Sequence, residues 1–212
     1  MKKEHQSVGQ TISAAVTVML SVYKDSYLLL DRLGSRVKSL DSSSGTHLIP
    51  VPWLMFEPQG ADDPLTYVRA RLALFFLAEG ALSLSDENAD CHMRLAKDES
   101  LVAAVIQFHW RGKAATPYLY IGRVGSFSGR FLKDDSVHIH RGDLAALLDS
   151  ADYAAGGSKQ VVYGRTRDRK ASLFLKPWAP LAAVESGEDI EALAKDLVAL
   201  YSGKDSVEAH VQ

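Results

Sequence analysis

The first 40 residues constrain this chain more than any other segment. No glycine or proline lies between Gly9 and Gly34, and apolar residues recur at Val8, Ile12, Ala15, Met19, Tyr23, Tyr27, Leu30, Leu33, Val37 and Leu40. Steps of three and four give a mean period near 3.6, which predicts one amphipathic helix over residues 1–40. At roughly 1.5 Å per residue such a helix is about 50 Å long. A compact chain of 212 residues has a diameter of only about 43 Å. The helix must therefore span the whole body or project from it, and an apolar stripe that projects needs a partner.

The middle of the stripe widens, with Val16, Leu20, Val22, Leu28 and Leu29 joining it. That breadth suits burial against a globule, whereas the three-four spacing suits a seam shared with another chain. Both architectures stay open from the sequence. Lys2 and Lys3 ahead of the uncharged run Gln6–Tyr23 superficially match a signal peptide. The run, however, carries six serine, threonine and glutamine residues between Ser7 and Ser21, and its stripe continues through Lys24 and Asp25. It reads as a helix of the folded protein. Spanning a bilayer takes about 20 predominantly apolar residues, so no membrane partner is expected.

The breaker cluster Asp41–Thr46 ends the helix and divides the chain. The expected organisation is a long N-terminal helix over 1–40, an α+β domain over 47–203 ending in a C-terminal helix, and a flexible tail over 204–212. Residues 48–56 carry Pro50 and Pro52 and read as extended, any strand there being an edge. Residues 65–79 are ambiguous. Asp63, Pro64 and Gly80 punctuate a helix, but Val68, Ala70, Leu72, Leu74 and Phe76 alternate onto one face, with Arg69 and Arg71 on the other. Strand is the preferred reading.

Leu101–Trp110 and Pro117–Val124 read as antiparallel neighbours, Ser136–His140 as a brief strand, and Asp143 as the N-cap of a short helix burying Leu144, Leu147, Leu148 and Ala151. The glycine- and serine-rich Gly122–Gly129 reads as a hairpin loop. Val161–Arg165 and Lys170–Lys176 form a hairpin about Arg167-Asp168. Ser186 with Asp189 makes an aspartate version of the capping box, and Gly203 closes the last helix. The fold class is therefore α+β: a long N-terminal helix, a mostly antiparallel central sheet with one short helix inserted, and a C-terminal amphipathic helix, the helices lying on one face and at the ends.

Net charge is −2, but it is unevenly spread. Residues 111–176 hold 12 Lys/Arg against 6 Asp/Glu, and residues 177–212 hold 2 against 7. Within the basic segment, Arg165, Arg167, Arg169 and Lys170 crowd one hairpin, with Arg130 and Lys133 nearby. Guanidinium groups so placed repel unless an anion sits among them, and phosphate fits their fork. Tyr118, Tyr120, Phe127, Phe131, Tyr163, Phe174 and Trp178 are interleaved, and exposed rings among cations would suit a single-stranded nucleic acid.

His138 and His140 share a strand face and offer two imidazoles to one metal, with Asp134, Asp135 and Asp143 close in sequence. The glycine and glutamate that complete the cupin metal motif are replaced by Leu132 and by Leu144-Ala145. The phosphate-binding loop, dinucleotide fingerprint, nucleophile elbow and zinc-protease motif are all missing from the sequence. The one cysteine, Cys91, rules out an internal disulfide and fits a reducing, cytoplasmic setting. Its neighbour His92 would point away from it in an extended chain.

The expectation is a non-enzymatic accessory or regulatory binding protein with no catalytic residues and no cofactor. Its long helix would serve a protein partner or self-association as a homodimer. The basic hairpin residues Arg130, Lys133, Arg165, Arg167, Arg169 and Lys170 would serve a nucleic-acid or other anionic partner. The alternative is a metal-dependent enzyme using His138 and His140.

Overall fold

A computed structural model describes residues 2–40, 47–51, 55–56, 71–81, 92–110, 113–129, 131–150, 162–165 and 169–203. The tail at 204–212, the breaker cluster, Cys91 and residues 65–70 lie outside them. The first helix, α1, is continuous over Lys2–Ser39, as its spacing requires, with Arg36 and Lys38 against the negative end of its dipole. Leu40 follows, its amide bonded to Val37 O.

The strands are β1 (Leu48–Pro50), β2 (Met55–Phe56), β3 (Arg71–Ala78), β4 (His92–Ala96), β5 (Leu101–Trp110), β6 (Lys113–Gly129), β7 (Leu132–Lys133), β8 (Ser136–His140), β9 (Val162–Arg165) and β10 (Arg169–Pro180). Helix α2 (Arg141–Ser150) follows β8, and a short 3₁₀ turn at Leu181–Ala183 leads to α3 (Gly187–Tyr201). Among the described residues they build two antiparallel sheets. The larger runs β1-β3-β5-β6-β10-β9 with β2 also on β3, and the smaller runs β4-β8-β7. This is an α+β fold.

The large sheet is covered on both sides. Leu72, Leu74 and Phe76 of β3, Val102, Ala104 and Ile106 of β5, and Leu119 and Ile121 of β6 meet α1 and α3. The helices contribute Leu30, Leu33 and Val37 from α1 and Leu193, Ala194, Leu197 and Leu200 from α3. Alternate residues, among them Ala73, Phe75, Leu77, Ala103, Val105, Leu173 and Leu175, meet the small sheet and Leu144, Leu147 and Leu148 of α2. Helices therefore lie on both faces, not on one face and at the ends. Double coverage also explains why β3 and β5 lack polar alternation: Arg71–Leu77 and Leu101–Phe108 are buried without interruption.

Two local expectations change. Gly122–Gly129 is not a loop but the far half of β6, bent where the pairing with β10 slips between Lys170 and Ser172. Ser126 there adopts φ 53, and Gly129 at the strand end φ 66. A bulge tolerates the small residues that make the stretch resemble a loop. Asp143 is not the N-cap of α2, which begins two residues earlier at Arg141. It stands in the first turn and its carboxylate accepts the His140 amide at 2.9 Å, doing a capping group's work from inside the helix.

The capping box of α3 is present as read. Ser186 Oγ accepts the Asp189 amide at 3.1 Å while Asp189 accepts the Ser186 amide at 2.8 Å. Hydrogen bonds from the Ser186 hydroxyl and from the Ser186 and Glu185 amides hold the Asp189 carboxyl below the ordinary range. α1 and α3 are tied by an ion pair between Arg36 and Glu191, whose own carboxyl is lowered chiefly by that hydrogen bond.

Candidate functional site

The stripe of α1 divides at Met19. Below it the seam passes through Tyr23, which packs edge-on against Phe108 at a 4.7 Å centroid separation, and Ser26, then enters the core at Leu30, Leu33 and Val37. Above it, the same three-four spacing carries the same face through Ala15, Ile12 and Val8, with nothing of the chain's described residues covering it. Val8 is 55% exposed, Ile12 60% and Val16 44%, and Leu20 on the flank 63%. Residues 2–18 amount to about 25 Å of helix at roughly 1.5 Å per residue. Contiguous exposed apolar faces are the kind of surface on which proteins interact. The C-terminal half of α1 is thus the spine under the sheet, while residues 8–18 are exposed.

The basic segment converges on one end of the large sheet. Arg169 pairs with Gly129 and Lys170 with Ser128, beside position 130, while Arg165 pairs with Ser172 on the edge strand β9. Lys133, exposed, lies in β7 just beyond the turn that follows β6. Residues 130 and 167 lie outside the described set, so Arg130 and Arg167 have no position here. Among the described side chains, five of the seven interleaved rings lie in the core or against a helix, and Phe174 is half-buried. Tyr120, Phe127 and Phe131 are buried, Tyr118 packs against the same core, and Trp178 is half-buried with Nε1 donating to Asp196 at 2.8 Å. Burial pushes the Tyr120 phenol up to about 12, with the nearby Tyr118 adding to the shift. Large apolar rings on a doubly covered sheet gain more from the core than from solvent.

His138 and His140 do share the outer face of β8, opposite Arg94 and His92 of β4 in register. One ring nitrogen of each contacts the protein itself. The Ser136 hydroxyl donates to Lys133 O at 2.8 Å and accepts from Arg94 Nε at 2.8 Å. The same hydroxyl lies 3.1 Å from His138 Nε2. His140 Nδ1 accepts the Gly142 amide at 3.0 Å. Asp134 and Asp135, at φ 51 and 57, form the two-residue type I′ turn of the β7–β8 hairpin. No group of three or more histidine, cysteine, aspartate and glutamate side chains assembles among the described residues.

Two polar clusters escaped the sequence reading. Arg71 is not on a solvent face; it is 2% exposed on the α2 side of β3, and its Nη2 donates to Asp149 Oδ1 at 2.9 Å. Tyr201, at the end of α3, donates to Glu99, which also accepts the Ser100 amide, while Arg123 Nε donates to Ser100 Oγ at 3.1 Å. Burial first, then the bond to Glu99, drives the Tyr201 phenol far above its ordinary range. Both clusters link distant segments, which no local spacing records. Each joins a helix to a sheet strand or to the turn before one. A groove of about 170 Å³ lies between α1 and β1, lined by Tyr27, Leu30, Gly34, Pro50 and Leu74 among others. Ligand sites for drug-sized molecules run to roughly 300 Å³ and above. Among the described residues no helix is long and apolar enough to cross a membrane. Comparison with protein-family models, with curated proteins and with solved structures returns no match.

Proposed function

We propose that this protein is a non-enzymatic accessory or regulatory binding protein whose projecting half of α1 docks on a protein partner, the folded body serving as its platform. The observation that carries this is the uncovered continuation of a core-forming stripe through Val8, Ile12 and Val16. Fully burying an aliphatic side chain contributes about 1.5–3 kcal/mol, and roughly half of that is still available at each of these positions. One cysteine in 212 residues supports a reducing, cytoplasmic setting. The chain and its Ile12→Asp/Val16→Asp variant, each immobilised, are to be presented to extract of the native cell. Protein retained by the first and lost with the second is the expected result, the chain's own second copy counting among the retained species. Equal retention by both would sink the docking role.

A second reading attaches to the basic end of the sheet, favoured by the register that sets Arg169 and Lys170 against Gly129 and Ser128 beside position 130. With Tyr118, Tyr120, Phe127 and Phe131 turned into the core, this surface would meet phosphates more than it would stack bases. Fluorescence anisotropy with short single-stranded and duplex nucleic acids should show binding that weakens steeply with salt and depends little on sequence. The Arg169→Ala/Lys170→Ala variant should flatten the salt dependence by about two counterions. No binding at low salt removes this partner class.

A further inference from the structure

We infer that the occupant of the projecting half of α1 is a second copy of this chain, paired with the first in antiparallel sense through the seam Val8, Ile12, Ala15 and Val16. The inference deepens the docking role proposed above and rests on it.

Charge argues first. From Gln6 to Tyr23 there is no Asp, Glu, Lys or Arg, so 18 residues of helix surface carry no formal charge. Helices that choose a different partner use flanking charges that attract it and repel their own copies. This segment has neither device, and two copies meet without repulsion.

Shape argues second, and it fixes the direction. The exposed face at Val8, Ile12 and Ala15 is the same face that, from Tyr23 to Val37, lies against the chain's own core. In a parallel pair the two seams would face each other along their whole length, and beyond Met19 both folded bodies would need the same space. In an antiparallel pair only the projecting halves overlap, and the bodies fall at opposite ends. Each seam is then covered over the stretch its own body leaves bare. The contact is two-fold and closed, the same patch on both copies, so assembly stops at two. An overlap centred on Ile12 places Val8 of one copy against the second copy's Val16.

The far side of the same helix provides an internal control. Thr17 is exposed and lies on the opposite face, its hydroxyl donating to Ser13 O at 2.9 Å.

Sedimentation equilibrium over about 1–100 µM tests the pairing with the full chain. The wild type should pass from monomer to dimer in that range, and no larger species should form. Ile12→Asp should weaken the dimer at least about 100-fold, a difference of roughly 2.7 kcal/mol. Thr17→Asp should hold the wild-type constant within about threefold. Mixing Ile12→Glu chains with Ile12→Lys chains should restore a dimer that neither forms alone. Direction is read by oxidation in a Cys91→Ser background. Val8→Cys mixed with Val16→Cys should give a disulfide-linked pair, and Val8→Cys alone should give none. A wild type that stays monomeric at the highest concentration overturns the second-copy occupant, and so does equal weakening by Ile12→Asp and Thr17→Asp. Efficient cross-linking of Val8→Cys alone overturns the antiparallel arrangement. The docking role itself would survive each of these if the extract experiment retained a different protein through Ile12 and Val16, so the two failures can be told apart.

Discussion

Gly122→Ala should cost this protein about 3 kcal/mol or more of folding free energy, a large loss for one methyl group. Gly122 sits mid-strand in β6, paired with Leu175 on one side and Ala103 on the other. A Cβ at this position would stand 2.0 Å from the Phe174 carbonyl oxygen, 2.4 Å from Leu175 Cδ2 and 3.0 Å from Leu175 Cα. Two of those three atoms are backbone, so rotating a side chain cannot relieve the overlap. β10 itself must move, and it is held by β9 on its outer edge and by the core below. Gly125 is the natural comparison, since its Cβ would meet only Ser100 Cβ at 3.6 Å, an ordinary contact. Urea unfolding should show the Gly122→Ala midpoint fall sharply with the slope unchanged, and Gly125→Ala move by less than about 1 kcal/mol. Equal stability of the two variants would mean that β6 and β10 do not approach as described.

The second large effect is expected within α1, and it separates the two halves of one stripe. Leu33 is fully buried between α1, the sheet and α3, whereas Ile12 on the same seam is 60% exposed. Leu33→Ala should remove about 2–5 kcal/mol, the transfer term plus the cavity left between layers that cannot close over it. Ile12→Ala, measured in dilute solution where the chain is alone, should stay within about 0.5 kcal/mol of the wild type. Thermal unfolding of the two variants beside the wild type decides the matter. Similar losses at both positions would show that the N-terminal half of α1 is covered by its own chain.

Much of the architecture was written in short-range pattern. α1 follows from ten apolar positions at helical spacing, α3 from Ser186, Asp189 and Gly203, and the β5–β6 and β9–β10 pairs from apolar runs joined by short linkers. The preference for strand in residues 65–79 agrees with β3 over Arg71–Ala78. What the sequence hid has a common cause. β4 and β7 are five and two residues long and gain their order from β8 beside them rather than from their own composition. Gly122 to Gly129 resembles a loop because a bend and a close strand contact both call for small residues. Arg71 was assigned to solvent by alternation, yet α2 and the small sheet cover that face too, and Asp149 provides for its charge.

The candidate sites were legible to different degrees. That the long helix would extend past the body was readable from its length against the diameter of the body. Which half is free was not, because the apolar spacing is the same where it meets the core and where it meets water. The basic residues were readable as a cluster because they are close in the chain, and β-pairing adds the end of β6 to them. Tyr118, Tyr120, Phe127 and Phe131 among them misled, since they belong to the core. Strand composition does not say which face has a second layer over it, and here both do.

One uninterrupted helix joins the projecting seam to the core, without proline and without a glycine between Gly9 and Gly34. Such a rod has no joint, and torsion is passed along it rather than absorbed. Each residue advances the helix by about 100° and 1.5 Å, so the azimuth of Ile12 is locked to that of Leu33 by the count of residues between them. A partner bound to the N-terminal half would therefore receive the folded body at a fixed bearing and a fixed reach. Lengthening the rod by a single residue would leave both ends intact and aim them in different directions.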